Sequence, residues 1–154
     1  MAKRLTTVLC VCIAGFMSAQ AQTASSPTPA QIVKARQASL EMSAVTFGAM
    51  KQALAGGTAA SELGFQAHAL ANWSAALPTL FPAGTGQGQA GVDTKAKPEI
   101  WTNRAGFDAK AADYAAATAK LADLAKAGDT PGFTAQFAVV KKTCDACHSD
   151  FKER

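Results

Sequence analysis

The chain predicts an all-α fold: an antiparallel four-helix bundle with a long crossover between its second and third helices. Three observations lead there. Alanine is abundant and β-branched residues are sparse, which favours helix. Gly and Pro divide the chain into long segments whose apolar residues recur at helical spacing. No stretch shows the two-residue alternation of a half-buried strand, and no internal repeat is present.

The first segment reads as an export signal. Lys3 and Arg4 precede an apolar run from Leu5 to Met17, and Ala19-Gln20-Ala21 supplies a small-x-small cleavage site. The expected division is a signal peptide over 1–21 and a single domain over 22–154. The run is too short to span a bilayer and no second one follows, so no membrane anchor is expected and the mature chain belongs outside the cytoplasm. Cys10 and Cys12 lie inside the apolar run and not at its end, which argues against lipidation. Removing 21 of 154 residues leaves 133, with only Cys144 and Cys147 as cysteines. It also leaves 13 basic against 11 acidic side chains, a charge of +2 that gives no electrostatic footprint for nucleic acid.

After a Ser/Pro/Thr-rich leader, Pro29 opens a helix that runs to Gly56-Gly57. Its inner stripe is Ile32, Arg36, Leu40, Ser43, Phe47, Met50 and Leu54, so an arginine shares the apolar face. A second helix runs from about Thr58 to just before Pro78, with Leu63, Leu70, Trp73 and Leu77 inward. From Pro78 to Asn103 the glycines and prolines predict one irregular crossover, and Gly84-Thr85-Gly86-Gln87-Gly88 reads as a flexible turn without the flanks of a phosphate loop. A third helix from Arg104 to Gly128 turns Phe107, Ala111, Tyr114, Thr118, Leu121 and Ala125 inward. Asp129-Thr130-Pro131 restarts the chain, with Thr130 as N-cap and Pro131 at the first helical position. The fourth helix places Phe133, Phe137, Val140, Cys144, Cys147, His148 and Phe151 on one stripe, so both cysteines and the histidine are expected to face the bundle interior. Large apolar residues are few, and the thin core leaves volume for something else to fill.

That something is named by Cys144-Asp145-Ala146-Cys147-His148. A C-x-x-C-H run is the attachment signature of c-type haem: two thiols one helical turn apart form thioethers with the vinyl groups, and the adjacent imidazole ligates the iron. Other uses of the pair fit less well. A disulfide-exchange site belongs at a helix start beside strands, structural zinc needs four ligands where His68 is the only other histidine, and a disulfide within one helical turn would be strained.

With this motif at its C-terminus, the chain resembles the cytochrome c′ family of class II cytochromes c. The resemblance rests on Arg36-Gln37-Ala38-Ser39-Leu40, Leu77 to Pro82, Lys97-Pro98-Glu99-Ile100-Trp101 and Cys144 to Lys152. It implies a periplasmic bundle carrying one haem c on Cys144 and Cys147, with His148 as axial ligand. It also places Leu40 on the distal side of the iron, where low-spin members have methionine. Met42 lies about 200° from Leu40 and Met50 about 15 Å further along the axis, so neither replaces it. Five-coordinate, high-spin iron is the expectation. By the same resemblance Arg36 pairs with a haem propionate, Lys152 stands where the family often has a proximal arginine, and pairing through the first two helices, with Val45 and Phe65 exposed, gives a homodimer. His68 faces away from its helix's stripe and reads as a surface residue.

An open sixth position in an apolar pocket admits NO and CO, with no evident donor for dioxygen. The expected function is therefore binding, carriage or detoxification of NO. The alternative is an electron carrier serving a periplasmic redox partner. The distal acid and base that peroxide cleavage requires are missing from the pattern, so no enzymatic activity is expected.

Overall fold

The computed structural model describes residues 26–153; the signal peptide expected over 1–21 lies outside the described residues. Five α-helices follow one another: α1 (Pro29–Ala55), α2 (Gly64–Ala76), α3 (Glu99–Thr102), α4 (Arg104–Ala127) and α5 (Thr130–Phe151). Helices α1, α2, α4 and α5 form the antiparallel four-helix bundle, with the long crossover joining α2 to α4. Among the described residues no strand forms, only an isolated antiparallel bridge between Ala96 and Lys152.

Each helix begins and ends where its chemistry permits. Thr28 caps α1 reciprocally with Gln31: the Thr28 hydroxyl accepts from the Gln31 amide at 3.3 Å, and the Gln31 side chain accepts from the Thr28 amide at 2.8 Å. Gly128, at φ +70°, closes α4 in the left-handed conformation that favours glycine. The cap of α5 is Asp129 and not Thr130: the Asp129 carboxylate accepts from the Gly132 amide at 2.9 Å, while the Thr130 hydroxyl accepts from the Ala60 amide at 3.0 Å. Sequence order alone does not separate two adjacent capping residues; the tertiary contact to Ala60 recruits the second. The segment before α2 is likewise a 3₁₀ turn, Ala60–Leu63, in place of a helix starting at Thr58.

Helix α4 is the central element, packed against both α2 and α5, and its whole predicted stripe from Phe107 to Ala125 is buried. A buried polar pair, Ser74 and Thr118 with hydroxyls 2.6 Å apart, crosses from α2 to α4, and Thr118 is further satisfied by the Tyr114 carbonyl at 3.0 Å. On α1 the fully buried residues are Val33, Arg36 and Met50; Ile32 is only half-buried, so the inner face is rotated from the predicted stripe at its start. Helices α1 and α5 make little direct backbone contact and are bridged by large side chains, Phe47 stacking on Phe137 with ring centroids 4.0 Å apart. Many of the remaining core positions are alanine: Ala60, Ala67, Ala96, Ala111, Ala117 and Ala125.

The crossover is ordered around one buried cation. Arg36 is 1 % exposed, and its terminal nitrogens donate to the Leu80 carbonyl (3.3 Å), the Thr85 hydroxyl (3.0 Å), the Thr85 carbonyl (2.8 Å) and the Thr94 hydroxyl (3.0 Å). Its guanidinium lies over the Phe81 ring at 4.6 Å, a cation–π contact. Gln37 adds a bond to the Asp93 carbonyl at 2.8 Å. The stretch 84–88 is accordingly not a loose turn: Thr85 is buried beneath Arg36, and a Cβ at Gly86 would come within 3.1 Å of the Trp101 ring. The crossover also contains a helical turn, α3, that its glycine and proline content conceals.

Candidate haem-binding site

The C-terminal half of α5 carries Cys144, Cys147 and His148. Its buried stripe runs through Phe133, Phe137, Val140 and Phe151, and both cysteines are half-buried free thiols packed against this core. The predicted inward orientation fails for His148, which is exposed. At about 100° per residue it sits roughly 60° from the stripe's centre, on its edge, where the bundle no longer covers it. The three groups therefore form a gradient across the helix, with the thiols toward the core and the imidazole toward solvent.

Burial sets the protonation of the thiols. Burial first, and then the Asp145 carboxylate, push Cys144 up; burial, Cys144 and Asp150 push Cys147 up. Both are neutral thiols at physiological pH. The His148 imidazole is held below its ordinary value by partial burial and by the Lys152 ammonium, with Asp145 opposing, which keeps it neutral and able to ligate.

On the core side of Cys144 lies Tyr114, which meets Trp73 edge to face at 6.2 Å. The Trp73 indole nitrogen is buried without a hydrogen-bond partner among the described residues. Burial, and then the nearby Cys144, raise the Tyr114 phenol far above its ordinary value. Tyr114 is the only tyrosine in the sequence, so tyrosinate absorbance reports it alone. A raised phenol stabilises the fold fully below the unfolded value of about 10, and that contribution is lost as pH climbs toward the folded value. The expected result of an alkaline titration is no tyrosinate band until the protein unfolds; a reversible band near pH 10 with helicity intact would place Tyr114 at the surface.

Leu40, on α1, is half-buried and packs against the same core as the two cysteines. Neither methionine of α1 stands in its place: Met42 is 71 % exposed on the other side, and Met50, on the same stripe, is buried in the core about 15 Å further along the axis. His68 is exposed and bonded to Asn72 at 3.0 Å, a surface residue as the sequence implies. Arg36, one turn before Leu40, spends its terminal nitrogens on the crossover, an arrangement the sequence does not reveal. Lys152 is exposed beyond the end of α5 and lies near His148.

Residues 31–152 match the family model described as Cytochrome C′. The chain belongs to the cytochrome c′ family. Cytochrome c′ of Rubrivivax gelatinosus is 35 % identical over 129 residues, covering 82 % of this chain and 97 % of that one. In fold the chain is similar to a cytochrome c′ described for an unusual ligand-controlled dimer dissociation, with a TM-score of 0.78 at 24 % identity over 84 % of this chain and all of that one. It is also similar to the nitric oxide complex of a leucine-to-alanine mutant of cytochrome c prime from Alcaligenes xylosoxidans, with a TM-score of 0.73 at 30 % identity over 84 % of this chain and 99 % of that one.

Members of the cytochrome c′ family bind c-type haem, and the residues present fit that group. Two thiols one turn apart and an imidazole beside the second are what covalent attachment and axial ligation of a haem need, and the alanine-rich core and the unpartnered Trp73 indole N–H leave room and a free donor beside them. Cys144 and Cys147 would hold its edge and His148 its iron. Among the described residues no group of three or more His, Cys, Asp or Glu side chains is placed to hold a metal ion by itself.

Proposed function

We propose that this chain is a periplasmic haem c protein, carrying one covalently attached haem with five-coordinate, high-spin iron, that binds NO and CO and serves to bind, carry or detoxify NO. One observation carries the reading: Leu40, which cannot ligate, packs against the same core as the cysteines, while Met42 points to solvent and Met50, on the same stripe, lies about 15 Å further along α1. When bound, haem iron supplies the gas-binding position. The protein's part is to fix one imidazole, His148, and to line the opposite side with hydrocarbon. Leu40 admits a small neutral diatomic past its methyl groups and excludes larger molecules. The nitric oxide complex of the Alcaligenes protein supports this choice of ligand. On this reading the chain is a binding protein and not an enzyme. Among the described residues no helix is long and apolar enough to cross a membrane.

Electron transfer is the second reading. The exposure of His148 and the half-exposure of both cysteines favour it, because a group attached there reaches the surface, where a redox partner could approach.

A ferrous spectrum with CO titration separates the two. The expected spectrum is high-spin, with CO and NO binding that displaces no side chain from the Leu40 side. Leu40→Ala should speed gas entry by about tenfold, equivalent to about 1.4 kcal/mol of steric barrier, and Leu40→Met should move the iron toward low spin. A wild-type ferrous protein that is low-spin and indifferent to CO would defeat the gas-binding reading.

The protein is also proposed to form a homodimer. Met42, Val45 and Phe65 are 71 %, 72 % and 83 % exposed on α1 and α2, and Ala38, Glu41, Met42, Val45 and Thr46 line a shallow apolar groove that suits a second copy. Sedimentation should give a dimer mass that Val45→Glu reduces to that of the monomer. A wild-type monomer at all concentrations overturns the assignment.

A further inference from the structure

The last turn of α5 ends in carbonyls that no residue further along the helix can satisfy, as at any helix C-terminus. Here the distant crossover supplies donors. The Lys97 amide donates to the Phe151 carbonyl at 3.1 Å, and the Lys97 ammonium donates to the Ser149 carbonyl at 3.1 Å. The Glu153 amide returns a bond to the Lys95 carbonyl at 2.8 Å, completing the bridge of Ala96 with Lys152. The Lys152 amide in turn closes on the His148 carbonyl at 3.2 Å. Phe151 is driven into the core against Phe107, with centroids 5.4 Å apart. The crossover's own hold is Thr94, whose hydroxyl accepts from Arg36 at 3.0 Å and from the Ala96 amide at 3.3 Å. Hydrogen bonds joined by short stretches of backbone thus lead from Arg36, one turn before Leu40, to the turn that presents His148.

We propose that the segment Lys95–Lys97 is a strap that caps α5 and positions His148, with Lys97 as its main positioning residue. The inference rests on His148 as the iron ligand. An uncapped final turn frays, and a ligand carried on a fraying turn meets the iron over a spread of orientations with a weaker bond. His148 is exposed, so core packing does not fix it; the strap supplies what packing leaves undone.

The test uses the haem-loaded protein and two readouts: the iron–histidine stretching band of the ferrous state by resonance Raman, and amide hydrogen exchange at Lys152 and Glu153. Lys97→Pro deletes both the ammonium and the backbone donor. The expected result is about tenfold or faster exchange at Glu153 together with a broadened iron–histidine band at lower frequency. Lys97→Met, which keeps the backbone bond, should show a smaller change of the same kind, and Lys97→Arg should restore the wild-type band. Should Lys97→Pro fail to fold, Lys97→Met carries the same two readouts. Faster exchange with an unmoved iron–histidine band overturns the proposal, as does unaltered exchange. A wild-type protein with no iron–histidine band at all defeats the assignment of His148 and the strap with it, a result distinct from an unmoved band.

Discussion

Replacing Cys144 and Cys147 together with alanine is expected to yield a protein whose haem leaves in acidified organic solvent, where the wild type stays red. The loss should be structural as well as chemical. Without thioethers the cofactor dissociates, and the chain loses whatever stability a resident ligand confers on the folded state. At a thousandfold excess over its dissociation constant a ligand contributes about 4 kcal/mol, and a covalent tether holds the effective concentration at that level or above. The alanine-rich core cannot make up the difference, because Ala111, Ala117 and Ala125 contribute little apolar area of their own. Thermal unfolding followed by helical circular dichroism checks this. Wild-type haem that is extractable, or a double variant as stable as the wild type, would contradict it.

Arg36→Met carries the second large effect. The substitution removes a fully buried cation that no carboxylate neutralises among the described residues, where the ion pairs are Arg104–Asp108 and Lys141–Asp145. Burial lowers the Arg36 pKa, and among the described residues the guanidinium is held by oriented neutral oxygens and the Phe81 ring. Methionine fills much of the volume but leaves the Leu80 and Thr85 carbonyls without their Arg36 donor and the Thr94 hydroxyl with the Ala96 amide alone. At about 1–3 kcal/mol for each buried group left unpaired, less the relief of the cation's desolvation, the net loss should be about 3 kcal/mol. Lysine cannot reproduce the planar fork and should recover only part of it. Denaturant unfolding of the haem-loaded protein measures the change, and a loss below about 1 kcal/mol would show that the crossover does not depend on Arg36.

The parts of the fold that follow from local periodicity were legible in the sequence. The α4 stripe from Phe107 to Ala125 is an example, since a helix buried between two neighbours has one unambiguous inner face. The motif at Cys144–His148 was legible for a different reason: thioether attachment demands that spacing whatever the fold. Where two local signals compete, only tertiary structure decides. Asp129 and Thr130 are both good caps, and the contact of Thr130 with Ala60 assigns the role. His148 shows the limit of a helical wheel, which gives direction but not how far the neighbouring helices extend. The partners of Arg36 were the least legible. Residues 80, 85 and 94 are brought to it by a crossover whose composition reads as irregular, and no periodic pattern announces a bond across 49 or 58 positions.

That distance along the chain also bears on how the molecule assembles. Helices form from contacts a few residues apart, whereas a bond between distant segments must first close a long loop. The bonds that end α5 are of the second kind: Lys97 reaches Ser149 across 52 positions, and the stretch of crossover it belongs to is held by Thr94 accepting from Arg36 across 58. Fixing the turn that bears His148 therefore carries the entropy cost of closing a long loop, a cost the helix's own i,i+4 bonds do not incur.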